Sequence, residues 1–170
     1  MMIYFTSDLH LFHKKAIEFD QRPFRDVDHM HQELVDRWNS VVKVSDVVYV
    51  LGDVSFGNKV ETASVLLRCN GILHLIPGNH DNLNRLKPCF SEIHSWLINL
   101  NAAGRHFWLC HFPLDSWMEN RGHSGGWINL HGHTHGTSVR RKNRLDVGCM
   151  NWNYTPISID QVLEEVKTGS

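Results

Sequence analysis

The chain has 170 residues, enough for one domain whose core needs no disulfide staples. Its formal net charge of −1 supplies no global field to draw in nucleic acid or an anionic membrane. Apolar runs stay short of a membrane span, no signal-like leader precedes the first strand pattern, and Cys69, Cys89, Cys110 and Cys149 form no C-x-x-C pair. The expectation is a single cytoplasmic domain, residues 1–170, with free buried thiols.

Ile3-Tyr4-Phe5 opens the chain as a strand, followed by a short helix from His13 to Phe19. Asp26 is placed to cap the next helix, whose Val27, Met30, Leu34, Trp38 and Val41 keep a 3.6-residue period. A strand at Val47–Leu51, a helix at Val60–Leu67 and an Asn70-Gly71 turn lead to a third strand, Ile72–Ile76. This β-α-β-α-β order favours parallel strands with helical crossovers. The second half reads differently. Strand candidates at Glu92–Leu100, His106–His111, Trp127–Leu130 and Leu145–Cys149 follow one another with little helix between, which suggests hairpins and mixed or antiparallel pairing. Ser158 and Gln161 form a capping box for a last amphipathic helix through Val166. Two sheets packed face to face with helices outside accommodate both halves.

The thirteen histidines give the chain its chemical character. Strand-like runs end at Asp8-Leu9-His10, Gly52-Asp53, Gly78-Asn79-His80-Asp81 and His111, and a fifth leads into Gly132-His133-Thr134-His135. Ligand sites in open α/β sheets form beyond the carboxyl ends of the strands. Two residues apart in a strand, Asp8 with His10 and His133 with His135 would each share a face. Any one of these motifs is a common loop end or helix cap; five in order point to an oxygen- and imidazole-rich metal site.

These five blocks, in this order from Ile3 to Gly148, resemble the calcineurin-like metallophosphoesterases. The resemblance implies an α/β fold, a four-layer α/β/β/α sandwich with two mixed sheets, around a dinuclear centre. It assigns Asp8, His10, Asp53 and His135 to one metal and Asp53, Asn79, His111 and His133 to the other, with Asp53 bridging. The activity implied is metal-dependent phosphoester hydrolysis, in which a hydroxide between two divalent cations attacks phosphorus. Nitrogen and oxygen ligands without thiolate suit Mn²⁺ first, with Fe²⁺, Zn²⁺ or Ni²⁺ as alternatives. His80 is implied as the acid that protonates the leaving oxygen, and Asp81 as the partner orienting its ring.

Beyond the shared motifs, His13 either faces this site or flanks the first helix, and Arg22 either grips a phosphate or lies in a solvated loop. Trp117 and His123, in the stretch Pro113–Trp127 with Arg121, are candidates for a substrate lid, Trp117 or Trp127 offering a stacking face. Packing of the tryptophans on the sheet edge is the alternative. The run Arg140–Arg144 is read as a solvated hairpin tip rather than a polyanion contact. The block after Asp53 continues Val54-Ser55-Phe56-Gly57, without the second acidic residue common in larger relatives. A phosphodiesterase acting on a small, nucleotide-like phosphoester, without a stable nucleic-acid complex or membrane, is the expected function. The alternatives are a nucleotide pyrophosphatase, a phosphomonoesterase or a metal-binding scaffold without turnover.

Overall fold

Alternating Val48, Val50, Leu73 and Leu75 are buried on one side of a sheet, against Met30, Leu34, Val35 and Trp38 of a long amphipathic helix. The computed structural model describes residues 1–116, 126–139 and 141–168. Its elements are β1 (Ile3–Thr6), α1 (Lys14–Phe19), α2 (Val27–Val41), β2 (Val47–Val50), α3 (Lys59–Leu66), β3 (Ile72–Leu75) and α4 (Leu83–Leu86). There follow β4 (Glu92–Ile93), β5 (Leu97–Ala102), β6 (Arg105–Cys110), β7 (Ile128–His131), β8 (Arg144–Asp146), β9 (Ile157–Ser158) and α5 (Ile159–Thr168). The Asp26 side chain caps α2 by accepting from the His29 N–H. Ser158 and Gln161 exchange the bonds of a capping box at α5, as the sequence pattern predicts.

The strands form two mixed sheets, in order β4-β3-β2-β1-β9 and β5-β6-β7-β8. In the first, β1 to β4 run parallel and β9 is antiparallel to β1. Phe5, Leu51 and Ile76 from the first sheet meet Phe107, Leu109, Ile128 and Leu130 from the second in a buried layer between them, joined by Ile159 and Val162 of α5. Fully burying aliphatic and aromatic side chains of this kind contributes about 1.5–3 kcal/mol each, so this layer is a principal source of stability. The expected mixed α/β architecture with two mixed sheets is what the chain forms.

Two expectations for the second half are corrected. The candidate Glu92–Leu100 is two strands in different sheets, because β4 pairs with β3 while β5 pairs with β6. Among the named strands of the described residues, hairpin pairing holds for β5 and β6 alone, turned by Ala103 and Gly104, both with positive φ. β6, β7 and β8 are mutually parallel, so His111 and Gly132 lie beyond the carboxyl ends of neighbouring strands. All four cysteines are free, and no helix among the described residues is long and apolar enough to cross a membrane.

Candidate metal centre

The loops that follow the strands touch one another before any side-chain chemistry begins. Beyond β1, the N–H groups of Asp8, His10 and Leu11 donate to the carbonyls of Gly52, Asp53 and Val54 beyond β2. Gly52 has φ +81°, and a Cβ there would lie 2.5 Å from the Gly78 Cα, so only glycines let the loops after β2 and β3 cross. A Cβ on Gly132 would meet the Ser7 Oγ and the Asp8 carboxylate, which is how the loop after β7 comes down on the loop after β1. The two sheets thus bring their carboxyl ends to one place.

Strand spacing groups Asp8 with His10 as the structure does, whereas His133 and His135 divide between two ligand groups, and neither pair lies in a strand. β1 ends at Thr6 and β7 at His131, so these four residues lie in loops. All four, and Asp53, have positive φ between 47° and 68°. Non-glycine residues rarely occupy this left-handed region, and such outliers gather at functional sites. Left-handed turns, not pleat alternation, aim these side chains.

The seven expected ligands come together as two adjoining groups. In the first, the Nε2 atoms of His10 and His135 lie 3.1 Å apart, and each is 4.0 or 3.8 Å from the Asp8 Oδ1. In the second, the His111 Nε2 is 3.1 Å from the Asn79 Oδ1 and 3.5 Å from the Asp53 Oδ2, with His133 completing the cluster. The same Asp53 Oδ2 lies 3.8 Å from the His10 Nε2, so one carboxylate oxygen faces both groups. Donor atoms bound at about 2.0–2.2 Å to one cation lie roughly 3–4 Å from each other. Both groups therefore fit a divalent ion with mixed nitrogen and oxygen donors.

Electrostatics agree with that fit. Asp8 and Asp53 are buried, and their ionic partners among the described residues are imidazoles. Burial pushes the Asp8 carboxyl up to about 6, although the Ser7 hydroxyl donates to it at 2.6 Å. Burial drives His10 well below its ordinary value, helped by Arg22 and opposed by Asp53. Burial works against the Asp53 charge too, but the hydrogen bond and charge of His111 hold the carboxyl low. Buried carboxylates are costly without a positive charge; the raised His111 and His135 imidazoles supply it here, and a bound cation would supply it in their place.

The supporting shell differs in part from expectation. Asp81 does not orient His80: its oxygens accept the backbone N–H groups of Gly78, Asp53 and Val54 at 2.8–3.0 Å, pinning the loop after β3 to the loop after β2. His80 is half exposed, with its Nε2 4.0 Å from the Asp53 Oδ2, while its own N–H donates to the Asp53 Oδ1. Arg22 does not face a substrate. It is buried, bonding the carbonyls of Asp8 and Leu9 and the Asp20 carboxylate. The other oxygen of Asp20 lies 2.7 Å from the His135 Nδ1. This hydrogen bond, ahead of opposing burial, raises His135 above its ordinary value. Asp20 escaped the sequence reading because 115 residues separate it from its partner.

Around the open side, Phe56 packs its ring against His13 at 4.1 Å, His80 at 5.2 Å and His10 at 5.7 Å, and stays 39% exposed. His13 borders the site, its ring 5.5 Å from that of His10, and also flanks the first helix as the residue before Lys14. Phe56 stands in the block where the second acidic residue is missing. Trp127 stacks on His106 and Trp108 before β7, at the opposite end of that strand from His133. Arg144 is buried with its guanidinium on the carbonyls of Leu114 and Val139, so it does not belong to a solvated tip. Trp117, Arg121 and His123 lie outside the described residues.

Comparison with known proteins places this geometry. The sequence model of the calcineurin-like phosphoesterase superfamily domain matches residues 1–154. An uncharacterized protein of Methanocaldococcus jannaschii is 34% identical over 176 residues, covering 98% of this chain and 92% of its own. The gene 66 protein of Mycobacterium phage D29 is 31% identical, with 96% and 95% coverage. A crystal structure of an Aquifex aeolicus protein of unknown function superposes with a TM-score of 0.75 at 23% identity, covering 96% of this chain and 98% of that one. At that identity it is a likeness of fold.

Proposed function

The chain belongs to the calcineurin-like phosphoesterase superfamily and is a metal-dependent phosphoesterase; we propose that it is a dinuclear one that hydrolyses phosphodiesters. The observation that carries this reading is the Asp53 Oδ2, 3.8 Å from the His10 Nε2 and 3.5 Å from the His111 Nε2. A carboxylate facing two ligand groups at once suits a bridge between two cations. Asp8, His10 and His135 would hold one with Asp53; Asn79, His111 and His133 would hold the other. Mn²⁺ suits the share of carboxylate and amide oxygens, with Fe²⁺, Zn²⁺ and Ni²⁺ as competitors. When bound, two divalent cations neutralise phosphate oxygens and acidify the attacking water.

The protein's own groups supply the rest. His80, its ring exposed and its backbone N–H tethered to Asp53, is placed to give a proton to a departing oxygen. Asp20 and the Leu51 carbonyl hold His135 and His111 by their Nδ1 atoms, turning the Nε2 atoms toward the centre. Phe56 gives the open side an apolar face against which an aromatic or nucleoside leaving group can rest. A single proton donor beside an open site suits departure of an alkoxide, as from a diester of a nucleoside or sugar. His80, exposed beside the centre and outside both ligand groups, argues against a scaffold without turnover, which has no need of it.

The test is metal analysis combined with a substrate panel. Chelated protein should be inactive, and activity should return as two equivalents of Mn²⁺ bind. Bis-nitrophenyl phosphate and cyclic nucleotides should turn over faster than mononucleotides. Faster monoester hydrolysis would overturn the diester preference, and full activity with one bound ion would overturn the dinuclear reading.

A further inference from the structure

A second cluster of metal-binding residue types lies on the first sheet, and none of its members belongs to either ligand group above. β3 and β4 pair in parallel with His74 opposite Glu92. His94 follows two residues beyond Glu92, and its N–H continues the ladder to the Leu75 carbonyl. A cross-strand pair plus an i, i+2 neighbour puts three side chains on one face of a sheet. Leu73 and Leu75 occupy the opposite, helix-covered face, so His74 lies on the other, where its ring packs 5.1 Å from that of Tyr49.

One donor atom from each of the three lies within 4.8 Å of the other two. The His74 Nδ1 is 2.9 Å from the His94 Nε2 and 3.6 Å from the Glu92 Oε2, while the His94 Nδ1 is 3.3 Å from the Glu92 Oε1. Both imidazoles are largely buried and the carboxylate reaches solvent. We propose that His74, Glu92 and His94 form a third cation site, structural rather than catalytic, for a zinc-class ion. Two imidazoles and one carboxylate are a donor set that Zn²⁺ accepts, with the open position left to solvent. The nitrogen share disfavours Mg²⁺ and Ca²⁺. Burial, then the neighbouring His94, holds His74 below its ordinary value, leaving its ring neutral with a lone pair to give.

The location gives the ion a purpose. β4 is two residues long and forms an edge of its sheet, held to β3 by a short ladder. Edge strands this short gain little from backbone pairing, and a cation gripping His74 on β3 together with Glu92 on β4 and His94 just beyond it would fasten the edge.

Equilibrium dialysis against Zn²⁺ tests this on the full chain, with His94→Ala and Glu92→Gln beside the parent. The catalytic centre is common to all three, so the difference isolates the new site. The parent should bind one equivalent more than His94→Ala, and Mn²⁺-dependent hydrolysis should be the same in both. Equal stoichiometry at saturating Zn²⁺ overturns the proposal. Should His94→Ala fail to fold, the imidazole ¹⁵N signals of the parent decide: Zn²⁺ should displace those of His74 and His94 together. Unmoved signals at saturation would leave a hydrogen-bonded Glu-His-His chain that holds no ion.

Discussion

The group of Asp8, His10 and His135 is braced through the Asp20 and Arg22 side chains, whereas in the group of Asp53, His111 and His133 a main-chain carbonyl holds His111 and the edge at Asn79 and His133 opens onto solvent. In the first group, the Asp20 carboxylate holds the His135 Nδ1 and is itself gripped by the buried Arg22, which also ties down the Asp8 and Leu9 carbonyls. In the second, the Leu51 carbonyl holds the His111 Nδ1 at 2.8 Å, while Asn79, His80 and His133 are exposed. A carboxylate partner makes an imidazole a stronger ligand than a neutral carbonyl does. On the proposed dinuclear reading, the first group should retain its ion more tightly and the second should exchange with substrate, with Asp53 between them.

The largest effect should come from removing that link. Asp53→Asn takes one negative charge from the position facing both groups, and turnover should fall by more than the roughly 10²–10⁴-fold typical of a lost general acid. Metal content should drop to one ion or none at concentrations that load the parent. A variant that kept both ions and near-parental turnover would show that the two groups work independently.

His80→Ala should come next, slowing turnover by about 10²–10⁴-fold while both ions stay bound. His80 stands on the open side, so its loss should spare both ligand groups and affect chemistry alone. The defect should be smallest for nitrophenolate, which departs without a proton, and grow with leaving-group pKa. A mutant-to-parent ratio that stays flat across leaving groups would reduce His80 to a phosphate-positioning residue.

Asp20→Asn addresses the contrast itself. It should weaken the tighter of two metal-binding steps by about 10–100-fold and leave the weaker step where it was. Calorimetric titration with Mn²⁺ resolves the two steps, and a thermal melt reports separately on the Arg22 pairing. Equal weakening of both steps would mean that the carboxylate brace does not distinguish the groups.

Much of this was legible in the sequence, but unevenly. The helical period of Val27–Val41 and the apolar runs before Asp8, Asp53 and Asn79 describe local burial, which a sequence records directly. The parallel pairing of β6, β7 and β8 is a choice between distant partners, and short apolar strands carry no mark of direction. Candidate ligands stood out because imidazole and carboxylate at strand ends are chemically conspicuous. Their left-handed backbone did not, since five non-glycine residues adopt it only because the crossing loops force them. Asp20, Phe56, and the trio His74, Glu92 and His94 are ordinary residues whose meaning lies in partners that folding supplies.

Asp81 offers the smallest and most discriminating change. Read from the motif alone, it should orient His80, and Asp81→Asn should then mimic a weakened general acid. The structure gives it another task, because its two oxygens accept three backbone N–H groups from the loops after β2 and β3. An amide retains one acceptor oxygen and sets its NH₂ against an N–H that needs one, leaving a buried donor unsatisfied at a cost of about 1–3 kcal/mol. The expected result is a lower midpoint in chemical denaturation, with a modest loss of turnover that reflects looser Asp53 and Asn79. Because proton donation is untouched, that loss should be uniform across leaving groups, in contrast to the graded defect of His80→Ala. A loss that grew with leaving-group pKa, without loss of stability, would return Asp81 to the role of His80's partner.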